Sequence, residues 1–511
     1  MFRGVVRQLL VLLVAVTAVY RVSLLNHGAL AFVDETFYFT SVKALQSLST
    51  GDVRGAIADI SVARGRDGAA LLQRPVAALQ AIPAHYGVPA SNLTSLLIPT
   101  ACNVIVSLLS LVLVFRIGVV LSGEETEKAT AALAGATVYA LLVNSNLYLR
   151  HLLPYDWALC AGLLVLWLSL TKPRTSMLAV MTGALTGVVL TIYTGYYLLC
   201  GALGIAVLWE TWASTERPDA LRFAALFAGA SAAVIGAMEL LFRAGGLSYI
   251  GSLRDVHRDI AFTSYGDGWL FLPEYLMDVE RLSGLVLILG AVHYAWHAAV
   301  RLARGGLRPI DRVMLPMLVA FLAQAASSAY LHAIPLYGRL IHPWMPFLAW
   351  MLADALTHAS AMQRRNAYTG VYAAAVISWA AAAWVYVPLK YPADVLYQMG
   401  IDTTRLPPDR KLCELVPGTS YASPGPLNRV TNAPYTDDAA YILLNVCQAL
   451  PGVPRPRETA AIPAGATRLF DGPHWMSFPA YAYEGLIRVD REAMRRENYR
   501  MQVFRTSAPT P

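Results

Sequence analysis

The sequence predicts an α-helical polytopic membrane protein with a small α/β domain on its outer face, and three observations carry that prediction. Of 511 residues, 56% are hydrophobic and only 14% are charged, whereas soluble domains carry about 25% charged residues. Apolar runs of about 18 residues or more, the length that crosses a bilayer as a helix, recur along the chain. After residue 388 the composition shifts sharply toward Pro, Gly, Asp and Arg, as in a segment that folds in water.

Taken in order, spanning helices are expected at about 6–26, 95–118, 129–147, 157–171, 176–194, 198–213, 221–242, 283–301, 313–331, 340–357 and 367–387, eleven in all. The first run, RQLLVLLVAVTAVYRVSLL, is long for the apolar region of a signal peptide. It lacks a small-x-small cleavage site, so it reads as a retained helix. Between the first two spans, SVKALQSLSTGDVRGAIADI and LLQRPVAALQAIPAHYG place apolar residues at helical spacing with polar and basic opposite faces. They read as amphipathic helices lying in the membrane interface. Another long outer loop, 243–282, contains a helical stretch with Arg254, His257 and Arg258. In the last segment, AAYILLNVCQAL and YRMQVFR read as strands and RVDREAMRREN as a short helix. Residues 1–388 thus form a membrane domain and 389–511 a soluble α/β domain.

Charge sets the orientation. The short loops GEETEK, TKPRTS, STERPDALR, RLARGGLRPIDR and AMQRRN hold most of the loop Lys and Arg, while the opposite set holds only Arg150 and Arg339. Basic loops stay in the cytoplasm. The N-terminus is therefore expected inside, and segments 27–94, 243–282 and 389–511 outside, as for a bacterial-type cytoplasmic membrane with a periplasmic C-terminal domain. The net charge of +7 is spread over these loops and forms no stripe for nucleic acid. Cys102, Cys160 and Cys200 fall in apolar helices as small core residues. Cys413 and Cys447 both fall in the outer segment, where an oxidising compartment permits a disulfide between them.

The informative polar residues gather on that outer face. Asp34 and Glu35 are adjacent just after the first span, where two neighbouring carboxylates repel each other near a bilayer. Gln73, Arg74 and Pro75 come late in the first outer loop, and Arg150, His151, Tyr155 and Asp156 fill a tight loop. His332, Tyr337, Arg339 and His342 flank the tenth span. Each has a plainer reading: Asp34 and Asp156 as helix caps, the arginines and tyrosines as headgroup anchors. Together, carboxylates, guanidinium groups and aromatics on one membrane face suit binding of a phosphorylated lipid headgroup and proton abstraction from a hydroxyl.

These residues resemble a known pattern, that of the GT-C glycosyltransferases, which use polyprenyl-phosphate sugars, and within them the protein O-mannosyltransferase and lipid A aminoarabinose transferase branch. Asp34-Glu35 resembles the Asp-Glu pair that opens the first outer loop. QRPVAALQ resembles an acidic-basic-Pro motif, Asp156 a second acidic residue, and GRLIHPWMPFLAWMLADAL the segment with a phosphate-binding residue at the mouth of a late helix. The WWDYG-type signature of oligosaccharyltransferases is absent.

The resemblance implies a GT-C fold and transfer of a sugar from a polyprenyl-phosphate donor to a hydroxyl of a protein, glycolipid or glycan acceptor. It implies Asp34 as general base, assisted by Glu35 and Asp156. Arg74, Arg150, Arg339 and Tyr337 would hold the donor phosphate, and Gln73, Tyr155, His257 and His332 would contact substrate. Gln73 replaces an acidic residue that helps hold a metal in the aminoarabinose transferase, and an amide oxygen is a weaker ligand than a carboxylate. No metal is therefore required on this reading; a divalent ion held by Glu35 or His257 is the alternative. Two rival classes stand beside it: a lipid or glycan flippase, which would call for polar residues in mid-helix and matched halves, and a non-catalytic envelope scaffold.

Overall fold

The computed structural model describes residues 2–25, 36–63, 66–67, 93–123, 125–244, 246–260, 268–331, 336–358, 361–389, 413–414, 441–445, 465, 467–473, 478–484, 488, 491–492 and 500–505. The first helices are α1 (Phe2–Ser23), α2 (Thr36–Ser49), α3 (Val53–Ser61), α4 (Leu93–Ser122), α5 (Thr126–Leu141) and α6 (Asn144–Leu147). Next come α7 (Tyr155–Thr171), α8 (Ser176–Ile192), α9 (Tyr197–Ser214), α10 (Arg217–Arg243), α11 (Tyr249–Ile260) and α12 (Phe271–Val279). The bundle closes with α13 (Arg281–Ala303), α14 (Pro309–Ala326), α15 (Gly338–Ile341), α16 (Met345–His358) and α17 (Ala361–Tyr386).

A helix stands at each of the eleven segments expected to span. Among the described residues, seven helices are long and apolar enough to cross a membrane, and an eighth span arises if α5 and the turn after it count as one. Helices α7 and α8 are apolar but shorter, at 17 residues each. The amphipathic stretch 41–60 forms α2 and α3, whereas LLQRPVAALQAIPAHYG lies outside the described residues.

Two expected continuous helices are broken, each for a local reason. The chain bends by 60° between α5 and α6, because Leu142 turns extended at φ −64°, ψ 143°. Such a break frees backbone amides in the protein interior, where an unpaired N–H is costly. Buried Glu280 takes them up, accepting from Val143 N at 2.7 Å and from Asn144 N at 2.8 Å. The second break divides 340–357 into α15, a 3₁₀ turn over His342–Trp344, and α16. Pro343 and Pro346 have no amide hydrogen to give a helical ladder.

Close helix packing rests on small residues, as expected where lipid supplies no hydrophobic drive between helices. A Cβ on Gly183 would lie 2.2 Å from Phe227 O, and one on Gly187 would lie 2.8 Å from Ser231 O. These two glycines, one turn apart, let α8 touch the backbone of α10. Ser231 Oγ donates to Gly183 O at 2.7 Å across the same contact. At the end that the charge pattern assigns to the cytoplasm, Arg301 pairs with Asp311 at 2.7 Å, Arg308 with Asp354 at 2.9 Å and Arg312 with Glu210 at 2.6 Å.

In the C-terminal part, both expected strands form. They are two members of a four-stranded sheet made of β3 (Cys413–Glu414), β4 (Tyr441–Asn445), β5 (Thr467–Pro473) and β6 (Arg500–Arg505), after a two-residue hairpin, β1 (Val62–Ala63) and β2 (Arg66–Asp67), earlier in the chain. The sheet order is β3-β4-β6-β5, with β3 parallel to β4 and the other pairs antiparallel. The register pairs Leu443 with Val503. Of the expected helix in RVDREAMRREN, the described residues Arg488, Arg491 and Glu492 are helical. Cys447 lies outside the described residues, and with it the expected disulfide to Cys413. A last short helix, α18 (Pro479–Ala482), is buried against the membrane domain.

Candidate functional site

Asp34, Glu35, Gln73, Arg74 and His332 lie outside the described residues, and His257 stands on α11. The structure does place Arg150, Tyr155, Asp156, Tyr337 and Arg339, and it brings four of them into one buried polar region around the break at 338–344.

Arg339, on α15, is at its centre. Its guanidinium lies 4.6 Å from the centroid of the Tyr337 ring, and Nη1 donates to Tyr155 Oη at 3.0 Å. Cation–π contact of this kind holds an arginine in place while leaving an edge for an anion. Tyr155 is fully buried and meets Tyr148 edge-on at 5.5 Å and Tyr193 at 4.8 Å. The anion beside Arg339 is one that sequence reasoning missed: Glu484 Oε2 stands 3.3 Å from Arg339 Nε. Tyr148 Oη donates to Glu484 Oε1. Burial pushes the Glu484 carboxyl up to about 7, against the pull of Arg339.

The segment carrying Glu484 is tied down on both sides. Gly338 N donates to Tyr483 O at 2.9 Å. Tyr483 Oη donates to Asp278 Oδ2 at 2.6 Å. Arg491 stacks 4.0 Å over the Tyr483 ring and pairs with Glu274 at 3.2 Å. The fit requires glycine at 338, since a Cβ there would lie 2.6 Å from Glu484 Oε1 and 2.8 Å from Tyr148 Oη. No periodicity or spacing in the sequence marks Glu484.

Asp156 stands beside this site. It is 2% exposed, in the first turn of α7. The cap reading is corrected: the N-cap is Pro154, with no side-chain cap bond. Asp156 Oδ1 has no hydrogen-bond partner and lies 3.7 Å from His342 Nε2. The other imidazole nitrogen of His342 shares a 2.9 Å hydrogen bond with Asn144 Oδ1, and Asn144 Nδ2 donates to Gly338 O at 3.2 Å. Buried Arg21 of α1 donates from Nε to Asn146 Oδ1 at 2.9 Å. Arg21 was visible in the sequence as a charge inside an apolar run, a mark of function in membrane helices.

Arg150 is bonded elsewhere. It is 1% exposed and donates to Tyr386 O at 2.8 Å and to Leu389 O at 3.1 Å, capping the end of α17. The neighbouring His151 Nε2 meets Tyr481 Oη at 2.9 Å, so this loop also binds the C-terminal segment. No group of three or more His, Cys, Asp or Glu able to hold a metal occurs among the described residues.

No family model matches the chain, and no curated protein matches it. Two solved structures do. ArnT from Cupriavidus metallidurans bound to undecaprenyl phosphate matches at 12% identity and a TM-score of 0.52, covering 83% of this chain and 85% of that one. The apo structure of the same protein matches at 12% identity and a TM-score of 0.49, covering 83% and 84%. Over that length the chain shares the fold of the ligand-bound ArnT structure, a polytopic helical membrane fold.

Proposed function

We propose that this chain is a membrane glycosyltransferase that moves a sugar from a polyprenyl-phosphate donor to an acceptor hydroxyl on the outer face of the cytoplasmic membrane. The observation that carries this reading is the fold shared over most of both chains with ArnT bound to undecaprenyl phosphate. The caged Arg339 supports it. Guanidinium held by Tyr337 and Tyr155 at a helix break is suited to a phosphate at the membrane surface.

In this reaction the acceptor oxygen attacks the anomeric carbon as its proton passes to Asp34. The bond from that carbon to the phosphate oxygen breaks, and polyprenyl phosphate leaves. A single displacement inverts the anomeric configuration. Arg339, with Arg74, offsets the charge that grows on the bridging oxygen, so its effect is largest in the transition state, while Arg150, expected beside them, instead holds the end of α17. Glu35 and Asp156 position the acceptor or assist the base. Gln73, Tyr155, His257 and His332 line the substrates. Residues 1–388 form the catalytic domain and 389–511 the outer domain.

The test is purified chain incubated with an undecaprenyl-phosphate sugar and candidate acceptors, with release of undecaprenyl phosphate as readout. Release that depends on acceptor and survives thorough chelation is expected, because arginine supplies positive charge at any working pH. Donor flipped across vesicles without cleavage would point to the flippase instead. Activity abolished by EDTA and restored by Mn²⁺ or Mg²⁺ would place an ion beside Glu35 or His257.

A further inference from the structure

Among the described residues, Glu484 is the carboxylate seen beside Arg339, and it arrives from the far end of the chain on a short segment wedged into the membrane domain. We infer that Glu484 is the resting counter-ion of Arg339, occupying the place of the donor phosphate, and that donor binding displaces it and lifts the 478–484 segment. This rests on the reading of Arg339 as a donor-phosphate ligand and goes beyond it by assigning the C-terminal segment a share in donor affinity.

Four features support displacement over a permanent structural pair. The pairing is monodentate: Oε2 stands 3.3 Å from Nε but completes no hydrogen bond. A carboxylate that fully used the arginine fork would take two parallel bonds. Second, Glu484 is buried and Arg339 is half-buried. Taking a carboxylate out of water costs several kcal/mol, and attraction repays this only where the geometry is good. The carboxyl raised to about 7 by burial fits that weak hold. Third, a polyprenyl-phosphate sugar is a phosphodiester with one negative charge, like a carboxylate, so it can replace Glu484 beside Arg339 with no change in the charge of the site. Fourth, Gly338 adjoins Arg339 and receives the segment through its own amide, bonded to Tyr483 O at 2.9 Å. An anion arriving at Arg339 thus meets the point where the segment is anchored.

The groups facing Glu484 are Arg339, Tyr148 and, through Arg339, Tyr155 and Tyr337. Besides the guanidinium, the Tyr148 hydroxyl and the Arg339 backbone N–H donate to the carboxyl and favour its ionised form. Glutamine keeps the size and one acceptor oxygen while removing the charge.

The experiment measures binding of undecaprenyl phosphate to full-length chain in nanodiscs, for the native protein, E484Q, R339Q and the double variant, with thermal melting as the check on folding. E484Q is expected to bind about tenfold tighter, since the buried negative charge that competes with the phosphate for Arg339 is gone. R339Q is expected to bind more weakly, and the gain from E484Q is expected to vanish in the double variant. A merely structural Glu484 would give unchanged or weaker binding in E484Q. In the native protein, hydrogen exchange at the Gly338 amide is expected to rise when undecaprenyl phosphate is added. If E484Q does not fold, Y148F, which removes one bond to Glu484, takes its place and is expected to tighten binding by about threefold.

Weaker binding in R339Q together with unchanged or weaker binding in E484Q (or in Y148F) leaves the donor-site reading standing and overturns the displacement. Slower exchange at Gly338 on ligand addition overturns it also. Absence of undecaprenyl phosphate binding in every variant overturns both.

Discussion

Asp34 is the residue on which the chemistry of the proposed transfer turns. Exchanging it for Asn keeps size and capping ability but removes the base, so D34N is expected to lose about 10²–10⁴-fold in transfer rate while donor binding is retained. Single-turnover release of undecaprenyl phosphate measures it; full activity would return Asp34 to the role of a helix cap. Glu484 gives a second expectation at this scale. Its carboxyl is raised by burial to about 7 from an ordinary value of 4.5. The folded state therefore binds this proton more tightly than the unfolded state. The resulting stability is fully present below about pH 4.5 and is lost as pH rises through 7, an effect on the order of 3 kcal/mol. The melting temperature of the native protein should fall relative to E484Q across that window, and parallel curves would refute it. Arg339, Tyr337 and Asp156 were legible in the sequence because polar groups beside apolar runs stand out. Glu484 was not, since it lies in a segment of ordinary soluble composition, and only the tertiary fold brings it to Arg339.

The helical elements were legible where composition alone decides them. Eleven expected segments carry helices because apolar runs in lipid have no other way to satisfy their backbone. The breaks at Leu142 and at His342–Trp344 escaped, although Pro343 and Pro346 signalled the second. The first depends on an acceptor far along the chain: Glu280 receives two amides that no residue near 142 could satisfy. E280A should leave both buried amides without partners. At about 1–3 kcal/mol for each, the loss of stability is expected to exceed that of E280Q, which keeps one acceptor oxygen. Thermal midpoints in detergent compare the two, and equal midpoints would show that water replaces the carboxylate. The helix–helix contacts follow a different rule. Gly183 and Gly187 matter by what they lack, and a pattern of small residues spaced by one turn was present in the sequence without being singled out.

For the whole molecule, the decisive question is which side of the membrane carries the site. Arg339, Tyr155 and Glu484 are joined into one cluster, so Tyr155 and the C-terminal segment share a side whatever the number of spans. The arginines at Arg301, Arg308 and Arg312 sit together at the loops assigned to the cytoplasm. All three pair with carboxylates there, which lowers their net pull. The inside assignment then leans on Lys172, Arg217, Arg222, Arg304 and Arg365 in loops of the same set. These outnumber the basic residues of the opposite short loops, where Arg150 is buried inside the protein and Arg339 is half-buried. Segment 389–511 is accordingly expected outside and Lys128 inside. The measurement uses a variant without its five native cysteines, carrying one new cysteine in place of Asp437 or Lys128, in intact cells treated with a membrane-impermeant maleimide. The cysteine at 437 should react before lysis and the one at 128 only after it. Reaction of both before lysis would put an even number of spans between the two positions and move the Lys128 loop outside, against the charge assignment, whereas reaction at 437 only after lysis would move the C-terminal segment, with Glu484 and the Arg339 cluster, to the side opposite the one proposed for the donor.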